Sequence, residues 1–184
     1  MGILDLWVAI VVSSVLVFIA SSILHMVIPL HKKDYQKMPG EEKVMQLMGS
    51  EGLKPGTYMF PCAASMKDAG TPEMLMKFEA GPVGFLTVIP SGAPSMGKNL
   101  LQWFLYSLLI GVIAAYLASR TLPPEAAYLQ VFRFVGTIAI VGYALGHFHD
   151  SIWKGQSWVV TAKFIFGGII YGLITAGVFG WLWQ

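Results

Sequence analysis

Four histidines, His25, His31, His147 and His149, stand at the ends of long apolar runs, and Asp150 follows the last of them directly. Imidazole nitrogen suits zinc, copper and iron, and a carboxylate widens the choice to harder ions. If the fold brings these ends together, His25, His31, His147, His149 and Asp150 make a candidate metal site. His25 and His147, still on helices and nearest the apolar runs, are the best pair of axial ligands for a haem. A mononuclear copper or zinc site that adds His31 and His149 is the competing geometry. A carboxylate such as Asp34 or Asp150 would hold a ligand tautomer from behind. The spacing sets conditions. His25 and His31 are six residues apart, about 240° around a straight helix, so they share a face only if the chain bends at Pro29. His147 and His149 are two apart and diverge unless the helix frays there. Neither pair fits a His-Glu-x-x-His arrangement or another closed ligand signature, and a histidine at a membrane interface serves equally as a hydrogen-bonding polar residue.

Other chemistry is thinly represented. Cys62 is the one cysteine, which excludes an internal disulfide framework and a multi-cysteine cluster. Eight of the ten methionines lie between residues 31 and 98, around Cys62. Thioether and thiolate select monovalent copper, but methionine also fills irregular gaps, and no Met-x-x-Met array is present. No Gly-x-Ser-x-Gly elbow, phosphate-cradling loop or dinucleotide fingerprint occurs. The serines of the first apolar run, Ser13, Ser14, Ser21 and Ser22, are expected to bond to preceding carbonyls. No catalytic residue is assigned, and the balance leans away from an enzyme.

The elements that must position these residues are membrane helices. Of 184 residues, 55% are hydrophobic and 12% charged, about half the roughly 25% charge of a soluble domain, and the mean hydropathy is +0.64. That excludes a disordered chain, a nucleic-acid binder and an ordinary cytosolic globule; the expected surroundings are a lipid bilayer. A hydrocarbon core takes roughly 20 apolar residues of helix, and four segments qualify, at about 4–28, 100–119, 124–148 and 158–183. The expected fold is an all-α membrane protein, a single membrane domain over 1–184, in which a four-helix transmembrane bundle carries a short helical cap of about 31–98 between the first two helices.

Lys32, Lys33, Lys37, Lys43, Lys98 and Lys154 collect on one side of such a bundle, against Arg120 on the other. By the positive-inside rule both termini lie outside and the cap inside. Trp7, Tyr116, Tyr128, Trp181 and Trp183 then mark the outer interface, and Trp103, Trp153 and Trp158 the inner one. Gly168, Gly172, Ala176 and Gly180 recur every four residues, a groove for close helix approach, within one chain or between copies. Arg133, in the third span, is expected to pair with Asp5 or to snorkel, and Lys163 to snorkel from the fourth. In the cap, Glu41 and Glu42 open one short helix and Thr71-Pro72-Glu73 a second. The stretch Val83–Ile89 is apolar but too short to span. The cap is expected to rest its apolar edges on the inner membrane face and the helix ends.

The stretches HMVIPLHKKDY (25–35), YMFPC (58–62), DSIWKGQSW (150–158) and TAGVFGWLW (175–183) resemble those of an uncharacterised family of small bacterial multi-pass membrane proteins with no known activity. The resemblance implies a bacterial origin and carries over no functional residue; the expected setting is the inner membrane. The expected function is an accessory or structural component of that membrane, within a larger membrane complex or a homo-oligomer and without nucleic acid. A metal- or haem-binding redox or metal-handling protein is the first alternative, and a small transporter or channel the second.

Overall fold

A computed structural model describes residues 2–93 and 95–183, with Pro29 described by its backbone alone. In chain order the elements are α1 (Trp7–Ser22), α2 (Glu41–Ser50), β1 (Gly56–Phe60), α3 (Met66–Ala69), α4 (Pro72–Ala80), β2 (Gly84–Val88), α5 (Met96–Thr121), α6 (Tyr128–Ala144), α7 (Phe148–Lys154) and α8 (Trp158–Trp181). They divide into two compact units, 1–34 with 95–184, and 35–94.

The first unit is a helical bundle. Four helical runs, Ile3–Val27, Met96–Thr121, Tyr128–Lys154 and Trp158–Trp181, are long and apolar enough to cross a membrane. The first run changes winding at its end. Ser21 and Ser22 both bond through their hydroxyls to the Phe18 carbonyl, at 2.8 and 2.9 Å, competing with the backbone ladder. The next turn, Ile23–Val27, is π-helical, and Ile28 is extended, as steric clash with a following proline requires. A short 3-10 turn, Pro29–His31, then carries the chain back toward the bundle.

The most extensive packing is between α6 and α8. Its basis is the run of small residues on α8. A methyl group on Gly168 would stand 2.8 Å from the Tyr143 carbonyl oxygen, and on Gly172 2.9 Å from the Ile140 amide nitrogen. On Gly180 it would stand 2.7 Å from the Tyr128 ring. Across the seam, Gly136 faces Ala176. The groove seen in the sequence is thus filled by this chain's own α6. Gly111 likewise admits Ile10 of α1, and Gly142 admits Ile110 of α5.

Two core clusters follow. One is apolar, with Leu6, Ala9, Ile10, Ala114, Val131 and Phe179 among its members. The other gathers Val17, Leu24, Ile110, Tyr143 and Tyr171, with Trp103 packed against it. Ser14, Ser107 and Thr175, all buried, bond to carbonyls of their own helices at 2.7–3.1 Å, as expected of hydroxyls in an apolar helix.

The second unit departs from the all-helical expectation. Besides α2, α3 and α4 it holds a two-stranded antiparallel sheet in which Gly56 pairs with Val88, Tyr58 with Leu86 and Phe60 with Gly84. The apolar stretch near Val83–Ile89 is therefore mostly a strand. Its partner lies more than twenty residues upstream, so no tight-turn signature announces the pairing. Ser65 and Thr71 cap α3 and α4 by accepting the Asp68 and Met74 amide protons. None of the described residues of 35–94 is buried.

The close approach of α8 to α6 leaves no room for added carbon. Gly172→Ala should destabilise the bundle by ~1–3 kcal/mol, the usual overpacking cost. Gly146→Ala, where a methyl group meets nothing within 4 Å, should change stability by less than ~0.5 kcal/mol. Thermal unfolding of the purified protein in mild detergent reads the difference.

Candidate functional site

The end of the bundle where α1 finishes and α8 begins concentrates its polar chemistry. His25 sits in the π-helical turn and His31 in the 3-10 turn that follows. Their rings stack at 4.6 Å between centroids with only 11° between planes. The chain reversal after Ile28 supplies the bend on which a shared face depends. His31 also packs on Phe164 of α8 at 4.6 Å, and His147 stacks on Phe164 at 4.7 Å and 16°. His147 closes a 3-10 turn, Leu145–His147, inserted between α6 and α7. A column of four rings thus links the ends of α1 and α6 to the start of α8.

Hydrogen bonds fix the rings. The Nδ1 of His25 lies 2.9 Å from the Ser21 carbonyl oxygen, which can only accept, so this nitrogen carries the proton. The Nδ1 of His31 lies 2.6 Å from a carboxylate oxygen of Asp34 and donates in the same way. In the neutral form both rings therefore keep Nε2 as the bare nitrogen. The other Asp34 oxygen accepts from the Lys163 ammonium. Asp34 is nearly sealed from solvent, with 4% of its side chain exposed, against 14% for His31 and 22% for Lys163. The Lys163 hydrogen bond holds the Asp34 carboxyl below the usual carboxylate range. Burial opposes this, and His31 adds to it.

Beneath the column, the Trp103 indole donates to Ser21 Oγ at 2.8 Å, which ties the start of α5 to the end of α1. The Trp103 and Tyr143 rings pack on each other and each on Tyr106 and Tyr171, at 5.6–6.1 Å. Beside it, Ser151 and Thr161 share a 2.6 Å hydrogen bond to which Gln156 adds another, joining α7 to α8.

The sequence candidates separate in this arrangement. His25, His31 and His147 come together through the column. His149 is exposed, and Asp150 accepts a 2.7 Å bond from Lys154. Among the described residues no group of three or more His, Cys, Asp or Glu side chains is disposed to hold a metal ion. The rings of His31 and Phe164 come between His25 and His147, so the two do not face each other across the slot a haem would occupy. Asp34 orients His31, the carboxylate role the sequence suggested for it.

Lys163 does more than snorkel. Its partner Asp34 is 129 residues away in sequence, a pairing that no local pattern announces. Phe164 was also missed, although a signal for it exists: it stands four residues before Gly168 and extends the same face of α8. The expected pairing of Arg133 with Asp5 does not form. Asp5 accepts from the Gly2 amide, and Arg133 is exposed on a shallow groove with Leu122, Gln130 and Phe134. Comparison with protein-family models, with curated proteins and with solved structures found no match. The fold and site define a helical bundle with four candidate membrane spans, closed at one end by an ion pair and a histidine column.

The lowered carboxyl of Asp34 has a sign. A group whose folded pKa lies below its unfolded value stabilises the fold above the unfolded pKa, and that contribution is lost as pH falls through the folded pKa. The wild-type melting temperature in detergent should therefore drop below about pH 4. Asp34→Asn should be less stable at pH 6, toward the low end of the ~3–5 kcal/mol typical when one partner of a buried pair is removed. Its profile should be flatter on the acid side. Parallel profiles for the two proteins would contradict this assignment.

Proposed function

We propose that the chain is a multi-pass protein of the bacterial inner membrane that serves as an accessory or structural component. In this reading both termini face outward and residues 35–94 face inward. The lysine bias around the 35–94 segment supports that orientation.

The observation that carries the proposal is the use made of the polar groups at the histidine end. Asp34 is divided between Lys163 and His31, and His25 and His31 donate to fixed acceptors. His147 lies flat on Phe164. The Asp34–Lys163 bond and the His31 and His147 contacts with Phe164 fasten helix ends to one another, while the His25 and His31 hydrogen bonds hold the local turns that bring them there. A rigid bundle with fixed ends is suited to holding a partner protein at a set position in the bilayer.

Solubilisation in a mild detergent followed by affinity capture tests the proposal. The expected product is a colourless protein without stoichiometric metal that brings down one defined membrane partner, or a second copy of itself, in constant ratio. A Soret band, or one equivalent of copper or zinc lost in His25→Ala and His31→Ala, would contradict it and favour metal handling. Solute flux into proteoliposomes that disappears in Arg133→Ala while the fold is retained would favour a transporter instead.

A further inference from the structure

Residues 35–94 have a second consequence. This unit of about sixty residues carries two paired strands and three short helices, yet none of its described residues is buried. A lone two-stranded sheet is marginal in water, and a chain of this size has little core to offset ordering. Phe78, Leu86 and Val88 are half-buried, but several other large apolar side chains lie open. Ile89 is 67% exposed, Met76 62% and Leu47 60%. Across the sheet Met59 pairs with Phe85 and Thr57 with Thr87. Directly opposed residues share a face, so Met59 and Phe85 form an apolar pair, both exposed, on the face that also carries Thr57 and Thr87.

We propose that residues 35–94 are an interfacial unit that seats its apolar side chains, Met59 and Phe85 foremost, in the lipid surface of the bilayer. This rests on the membrane reading of the four helices. Both attachments of the unit favour lipid over another protein. Its first residue follows Asp34, which is bonded to Lys163, the sixth residue of α8 and so about 8 Å along that helix. Its last stands two residues before Met96, where α5 begins. The unit thus leaves and re-enters at the ends of candidate spans. Tethers this short hold the unit at a high effective concentration of lipid, a gain that a freely diffusing partner lacks.

The charge sets the mode of docking. The segment has five lysines against six acidic residues, a net charge of −1. A basic patch attracts anionic headgroups, whereas the charges of the segment itself nearly balance. Docking therefore proceeds by apolar burial, on zwitterionic lipid as readily as on anionic lipid, and it is insensitive to salt.

The chain supplies its own probe. Cys62 is the single cysteine, exposed and two residues beyond Phe60. The full-length protein is labelled there with an environment-sensitive nitrobenzoxadiazole and reconstituted in phosphatidylcholine vesicles. Nitroxide-labelled lipid and a water-soluble nitroxide serve as quenchers. Phe85→Cys in a Cys62→Ser background reports the sheet face. Leu109→Cys in the same background reports the outward surface of α5, where Leu109 is exposed.

The expected result is emission shifted to the blue at both 62 and 85. Lipid nitroxide should quench it several-fold more than aqueous nitroxide, unchanged by phosphatidylglycerol or high salt. Aqueous quenching at 62 and 85 with lipid quenching at 109 would overturn the proposal and leave the membrane reading standing. Aqueous quenching at 109 as well would overturn both. Quenching by lipid that vanishes in high salt would overturn apolar docking.

Discussion

A lysine in the second turn of an apolar helix must reach water or meet a counter-charge. Lys163 meets Asp34, and much of the bundle's histidine end follows from that pairing. Asp34 stands only a few residues beyond Ile28, where the first helical run ends. For its carboxylate to reach α8, the intervening chain must fold back at once. The fold-back places His31 on Phe164 and brings His25 onto His31. The carboxylate also takes the His31 Nδ1 proton. One buried anion thus answers two donors from different elements, which is what keeps it ionised away from water.

The second constraint is the distance between α6 and α8. Without water to drive association, membrane helices adhere where their backbones come close. Gly168, Gly172 and Gly180 permit that, and α6 fills the space with Tyr143, Ile140 and Tyr128. Phe164 lies on the same face of α8, one turn before Gly168. The glycine seam delivers α6 to the point where His147 settles on Phe164, so the ion pair and the seam meet at one ring. Phe164 joins the two halves of the architecture.

Much of this was legible in the sequence, and the rest was hidden for definable reasons. The candidate spans showed themselves through length and composition, the two properties that hydrocarbon thickness sets for a crossing helix. The four-residue repeat on α8 displayed the seam but not its partner, since spacing records a groove and not what fills it. The condition on His25 and His31, a bend near Pro29, is met by the reversal after Ile28. The Asp34–Lys163 pairing joins residues far apart in the chain, and β1 finds β2 across a long connection. Non-local pairings of this kind leave no periodic trace. Arg133 and Asp5 were matched by depth alone, and the local N-terminal turn claimed Asp5 first.

The central claim is that Asp34 and Lys163 act as one unit. A double-mutant cycle of Asp34→Asn and Lys163→Met, read as unfolding free energy in the same detergent at neutral pH, tests it most directly. Each single change strands a polar group, whereas the double change removes the pair. The account predicts non-additivity of more than ~1.5 kcal/mol, with the double variant more stable than the sum of the single losses. Effects that add to within ~0.5 kcal/mol would contradict it.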